Sequence, residues 1–161
     1  CLVGSEMCIR DSMYKAYEDL DGILKEKIRN LRVAHDHEYI IKLSKELSRR
    51  KNKGNYDKLD SVIHPLVRRH PVTKKPSLFL SPHTMVKIVD YDYDKGRKLL
   101  EKLIEHSIQS KYVYEHIWNN NDIVMWDNRC TMHSVKPFDN NVIKRIMHRV
   151  TLVGDKQPVM A

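Results

Sequence analysis

The sequence predicts a mainly β chain with helical insertions, arranged as a β-sandwich or jelly roll. Three observations predict this class. Short β-branched and aromatic runs recur from residue 62 onward, turn-forming clusters separate them, and one amphipathic helix interrupts them.

The elements follow in order. Residues 13–48 read as helical, because Tyr17, Leu20, Leu24, Ile28 and Leu31 recur at spacings of three or four. Gly22 is the weak point of that stripe. Residues 42–58 are rich in Lys, Arg and Asn and read as a mobile surface excursion. Their cluster of Arg49, Arg50, Lys51 and Lys53 is a solvated face or, in a sharper reading, a lid over an anionic substrate. Val62 to His70 is strand-like, Pro71 to Pro76 is a turn, and Ser77 to Leu80 is a short strand. Asp94 is the expected N-cap of a helix over residues 95–108, whose apolar face is Leu99, Leu100, Leu103 and Ile104. Four strand candidates come after it: Tyr112 to Trp118, Asp122 to Trp126, Thr131 to Val135, and Arg145 to Val153. Pro137 to Asn141 is a turn between the last two.

At 161 residues the chain fits one domain with a single core. Charged residues make up 31% of it and the mean hydropathy is −0.58, which predicts a soluble chain. No apolar run approaches a membrane span, so no membrane partner is expected. The net charge of +8 admits an acidic partner. Few aromatics interleave with the basic residues and no nucleic-acid motif appears, so the expected partner is a small anionic molecule and not nucleic acid. The sequence leaves a homo-oligomer open.

Residues 1–12 lack both an amphipathic period and a basic segment ahead of an apolar one, which argues against a signal peptide. Leu2 to Ser12 resembles the translation of a sequencing-library adapter. The expected organisation is therefore a non-native segment over residues 1–12 and the C-terminal part of one domain over residues 13–161. Without Cys1 and Cys8, Cys130 stands alone and forms no internal disulfide, which fits a reducing cytoplasm.

The chemistry-bearing residues lie late in the chain. Strand alternation places Thr131, His133 and Val135 on one face, with Met132 and Ser134 on the other. A histidine at the end of an apolar strand is a metal ligand or an ordinary hydrogen-bonded group. Arg145, Met147 and Arg149 share a face of the last candidate strand. A guanidinium binds carboxylate or sulfonate through a rigid fork, so this pair calls for an anion. The alternative is pairing with distant carboxylates such as Asp122 or Asp127.

The run Asn121 to His133, with Trp126-Asp127-Asn128-Arg129 ahead of the histidine, and the run Arg145-Ile146-Met147-His148-Arg149 together resemble a known signature. It is that of the iron(II)- and 2-oxoglutarate-dependent taurine/2,4-dichlorophenoxyacetate dioxygenase family. The segments His64 to Thr73, Ser77 to Leu80 and Gly154 to Pro158 share the likeness, which extends from Met13 to the C-terminus. The resemblance implies a double-stranded β-helix, or jelly roll. It implies Fe(II) held by two histidines and a carboxylate, with 2-oxoglutarate and O2 as co-substrates. His133 would be the distal histidine ligand, and Arg145 would pair with the C5 carboxylate of 2-oxoglutarate. Arg149 would meet the acidic group of the substrate. Trp126 would form a wall of the site, and the Asp127-Asn128-Arg129 turn would order the entry to the His133 strand. The implied reaction hydroxylates a small carboxylate or sulfonate and releases succinate and CO2. Ser81-Pro82-His83-Thr84 is closer to the phenoxyacetate branch than to the taurine branch.

One part of the family pattern is missing. The resemblance places the family's His-x-Asp/Glu pair, which supplies the first two iron ligands, N-terminal to the region this chain is expected to cover. His35-Asp36-His37-Glu38 does not replace it, because His37 and Tyr39 stand where a carboxylate is needed. That cluster also falls in the predicted helix, where histidines two apart point to different faces. The fragment alone is therefore expected to be inactive. The alternative readings are an inactive jelly-roll relative and a basic polyanion-binding module.

Overall fold

The computed structural model describes residues 6–10, 12–36, 39, 61–135, 146–152 and 159–161. Among these, three small antiparallel sheets and three α-helices share one hydrophobic core.

The first helix, α1 (Met13–Glu18), starts at Ser12, whose side chain accepts a hydrogen bond from the Lys15 amide at 3.0 Å. This capping satisfies a donor that the first helical turn leaves free. Asp21 does the same for α2 (Gly22–Ile28), accepting from the Leu24 amide at 2.8 Å. Gly22 is thus the first helical residue, where it interrupts nothing. Of the predicted stripe, Leu20, Leu24 and Ile28 are buried and Tyr17 and Leu31 pack partly buried against the core, while Met13 and Ala16 complete the buried face.

The single helix expected over residues 13–48 is not what forms. It breaks at Asp19–Asp21, and after Ile28 the chain turns into a strand, β2 (Arg32–His35). The reason is a change of period: Val33 and His35 are buried while Arg32 is exposed, which is alternation by two. Edge partners on both sides reward that alternation. β2 is the middle strand of a sheet with β3 (Val62–Pro65) and β6 (Met85–Ile88), in the registers Val33↔His64 and Val33↔Ile88. The excursion expected over residues 42–58 lies outside the described residues.

The strand-like segment from Val62 to His70 is split at Leu66. The Leu66 amide donates to the Leu31 carbonyl, and its own carbonyl accepts from the Phe79 amide at 2.8 Å. At that point the chain leaves the β3-β2-β6 sheet and enters a second one, where β4 (Val67–Arg69) lies between β5 (Pro76–Leu78) and β9 (Val159–Met160). The third sheet has β1 (Glu6–Arg10) between β7 (Tyr114–Ile117) and β8 (Met132–Val135), in the registers Cys8↔Glu115 and Ile9↔His133.

The long helix α3 (Tyr93–Ser107) begins two residues earlier than expected. Its N-cap is Asp92, which accepts from the Lys95 amide at 2.9 Å, and Asp94 sits in the first turn. Either carboxylate suits a helix start, but only Asp92 is placed to reach an amide three residues on. Leu99, Leu100 and Leu103 are buried as expected and Ile104 packs beside them. At the far end His106 Nε2 lies 2.8 Å from the Ala16 carbonyl, and the Tyr112 hydroxyl donates to Asp19 at 2.7 Å. The first contact ties α3, and the second the turn that follows it, to the end of α1. Burial of Tyr112 in a single 3-10 turn (Ser110–Tyr112) delays β7 to Tyr114.

Two other expected strands are not found. Asp122 to Trp126 has no regular structure; Ile123 and Met125 point to solvent, and no neighbouring strand pairs with the segment among the described residues. Residues 146–152 likewise have no regular structure.

Candidate active site around Trp126 and His133

The site begins with a turn. The Asp127 carbonyl accepts from the Cys130 and Thr131 amides at 3.1 Å and from the Thr131 hydroxyl at 2.8 Å. Its carboxylate accepts from the Arg129 amide at 2.8 Å and from the Arg129 guanidinium. An aspartate that bonds the backbone two residues on is a standard way to stop a strand and reverse the chain. The turn delivers the chain into β8, where Met132 is buried and His133 faces out. The Cys130 carbonyl also accepts from the Met13 amide at 3.0 Å, which joins the turn to the start of α1.

Strand β4 and the residue after it brace the turn from below. Arg68 is only 7% exposed. Its Nε donates to the Arg129 carbonyl at 2.7 Å and its Nη2 to the Asn128 carbonyl at 2.9 Å. The guanidinium lies over the Phe79 ring, 4.0 Å from the centroid. Burial pulls the Arg68 pKa down to about 10, so it stays cationic at neutral pH. His70 is buried too, and its Nδ1 accepts from the Val72 and Thr73 amides. The ring proton must then be on Nε2, which donates to Asp127 at 3.1 Å. The Arg129 guanidinium, aided by the Arg129 amide and His70, holds the Asp127 carboxyl far below the usual carboxylate range, against the opposing effect of burial.

His70, Asp127 and Cys130 bring potential ligand atoms within 4.8 Å of one another. The bonding pattern argues against a metal there. Both His70 nitrogens are committed, Arg129 occupies the Asp127 carboxylate, and burial pushes the Cys130 thiol up, toward its protonated form. The cluster is a structural brace.

Trp126 and His133 meet above the turn. Their ring centroids are 4.7 Å apart with planes tilted by 50°. The indole N–H donates to the Asn128 side-chain oxygen at 2.9 Å. Partial desolvation and then the positive charge of Arg149 lower the His133 pKa, which favours the neutral imidazole a metal requires. No hydrogen bond to the His133 ring comes from the described residues, and an imidazole in this position can serve as one donor of a metal site. Arg149 is exposed and near enough to act on His133 electrostatically, but it does not sit on a strand. The expected face shared by Arg145, Met147 and Arg149 is therefore not formed by a strand in residues 146–152, and Arg145 lies outside the described residues.

His35, the first residue of the His35-Asp36-His37-Glu38 run, is also placed differently from expectation. His35 ends β2 and is not helical, while His37 and Glu38 lie outside the described residues. His35 is 6% exposed, its Nδ1 is 2.9 Å from the Thr84 hydroxyl, and its ring packs on His64 and Phe79. Burial, then the neighbouring His64, lowers its pKa to about 4.

Reading the sequence alone did not single out Arg68 and His70 as a bracing pair. The available signal was two polar residues at i and i+2 beside the apolar Leu66-Val67, which places both on one face of a strand otherwise bound for the core.

The arrangement defines a mainly antiparallel β protein that presents a strand histidine against a tryptophan and within the field of an arginine. Comparison with known proteins makes the class specific. The family model described as "Taurine catabolism dioxygenase TauD, TfdA family" matches residues 11–151. The alpha-ketoglutarate-dependent 2,4-dichlorophenoxyacetate dioxygenase of Burkholderia sp. (strain RASC) is 34% identical over 152 residues, which cover 93% of this chain and 48% of that protein. A crystal structure of a putative alpha-ketoglutarate dependent 2,4-D dioxygenase from Burkholderia xenovorans superposes with a TM-score of 0.77 at 33% identity, covering 91% of this chain and 55% of that one. AAD-2 in complex with Mn(II) and N-oxalylglycine gives 0.72 at 36% identity, covering 86% and 53%. This chain belongs to the TauD/TfdA family, and it spans about half the length of the curated relatives it matches.

Proposed function

We propose that the chain is the C-terminal part of an Fe(II)- and 2-oxoglutarate-dependent dioxygenase with a double-stranded β-helix core. Its substrate in this reading is a small organic anion, a carboxylate or sulfonate. One observation carries the reading: in a chain of the TauD/TfdA family, the Trp126–Arg129 turn runs into a strand whose His133 imidazole lies against the Trp126 indole. The carboxylate end of the substrate range follows the name of the Burkholderia relative, and the Mn(II) complex of AAD-2 supports a divalent metal.

The residues present fit one donor of such a site. His133 supplies an imidazole, and the remaining donors are not grouped with it among the described residues. When bound, the iron supplies the oxidative chemistry that couples decarboxylation of 2-oxoglutarate to hydroxylation of the substrate. This chain's own residues bind and orient. Arg145 holds the far carboxylate of 2-oxoglutarate. Arg149 neutralises the substrate anion and keeps protons off His133. Trp126 covers one side of the imidazole. No helix among the described residues is long and apolar enough to cross a membrane; we place the protein in the cytoplasm.

The test is turnover by the complete protein, followed as succinate release with Fe(II), 2-oxoglutarate and a panel of aryloxyalkanoates, sulfonates and alkyl sulfates. His133→Ala should abolish turnover and metal binding. Arg145→Ala should raise the KM for 2-oxoglutarate, and Arg149→Ala should raise the KM for the acidic substrate. Turnover that survives His133→Ala would refute the reading. Salt-sensitive polyanion binding unaffected by Arg145→Ala would support a binding module instead.

A further inference from the structure

A metal-bound histidine needs its ring held in one orientation, usually by a partner on the nitrogen that does not bind metal. His133 has no such hydrogen bond among the described residues. Its ring is instead flanked by the Trp126 indole, 4.7 Å away between centroids. That moves the question of orientation from His133 to Trp126, which is itself outside any strand.

The indole is held at its edge. Its N–H can only donate, so the Asn128 atom 2.9 Å away must be the side-chain oxygen. Asn128 is in turn fixed through its main chain, since its carbonyl accepts from the buried Arg68 guanidinium at 2.9 Å. Arg68 is immobilised by a second bond, to the Arg129 carbonyl, and by the Phe79 ring. A continuous set of contacts thus runs from strand β4 through Arg68, Asn128 and Trp126 to the His133 ring.

We propose that Asn128 is a positioning residue for the metal-facing histidine: its side-chain carbonyl locks the Trp126 indole, and the locked indole fixes the His133 imidazole. The inference rests on the reading of His133 as a metal donor. Asn128 is exposed, so removing its amide leaves the core intact and acts on the indole alone. Truncation frees the indole, and the imidazole then samples orientations that do not present its lone pair to the metal.

The experiment uses the complete protein, which carries the remaining metal donors, and its variants Asn128→Ala, Asn128→Asp and Trp126→Phe, with NMR observation of the Trp126 indole N–H and the His133 ring. In the unaltered chain the two rings should show NOEs and the indole N–H should exchange slowly. Asn128→Ala should abolish the NOEs and speed indole exchange. Asn128→Asp keeps an acceptor and should restore both. A second readout adds Mn(II) alone and follows paramagnetic broadening of the His133 ring. Asn128→Ala should need about tenfold more Mn(II), the lower edge of what losing an orienting partner costs a metal site. Asn128→Ala should add nothing in a Trp126→Phe background, which has no indole N–H to hold. NOEs and slow exchange that persist in Asn128→Ala overturn the proposal. Lost NOEs in Asn128→Ala, with no broadening of His133 even in the unaltered chain, support the Asn128 lock and overturn the metal-donor reading on which its purpose rests.

Discussion

Replacing Arg68 with methionine should destabilise the chain more than any surface charge change, because Arg68 is the buried brace under the site. The substitution removes two charge-assisted hydrogen bonds, to the carbonyls of Asn128 and Arg129. Each such bond contributes about 1.5–3 kcal/mol, so the gross loss is roughly 3–6 kcal/mol. Two effects reduce it. Asn128 and Arg129 are exposed, so water can rehydrate part of what their carbonyls lose. Removing a cation that is 7% exposed also removes its desolvation cost. The expected net loss is about 2–3 kcal/mol. Arg68→Lys keeps the charge but reaches only one carbonyl and loses the flat contact with Phe79, so it should cost about half as much. With a urea slope of about 2 kcal/mol/M, the midpoint of Arg68→Met should fall by roughly 1–1.5 M. Urea unfolding followed by far-UV circular dichroism measures it. A midpoint for Arg68→Met within about 0.2 M of the unaltered chain would refute the claim that this arginine braces the turn.

Other consequences are open to similar checks. His35 has a folded pKa of about 4 against an ordinary 6.5, so the folded state takes up its proton later than the unfolded one. Its contribution is complete above pH 6.5 and is lost as the pH falls toward 4; His35→Leu should flatten the stability curve across that window, and an unchanged slope would count against the assignment. The Asp127 carboxyl is likewise held down by Arg129, so its contribution is present above the ordinary carboxylate pKa and lost in acid; Asp127→Asn should lower the thermal midpoint and deprotect the Arg129 amide in hydrogen exchange. Asp92→Ala should cost about 1 kcal/mol as a lost helix cap while Asp94→Ala costs much less, and equal losses would contradict the observed cap. Leu100→Ala should cost about 2–5 kcal/mol because the side chain is fully buried in the shared core, measurable by the same urea titration.

Much of the local structure was legible in the order of residues. The apolar stripes of α1, α2 and α3 are the faces that pack, because helical spacing puts those side chains on one side whatever they meet. The turn after His70 and the strand carrying His133 also stand where turn chemistry and alternation put them. The motif from Trp126 to His133 and the mixed β character came from residues close in sequence. What the sequence did not reveal depends on partners far along the chain. Arg32 to His35 could have continued a helix; it became a strand because Val62–Pro65 and Met85–Ile88 supply hydrogen-bonding edges on both sides. Asp122 to Trp126 has a strand's composition and no strand's partner. Arg68 and His70 are buried because the turn at Asp127 to Arg129, about sixty residues away, provides carbonyls and a carboxylate to satisfy them. Sequence by itself determines which residues can share a face and which chemistry they offer. Tertiary structure decides which buried polar groups find partners, since a donor or acceptor is stable in the interior only where the fold brings its complement.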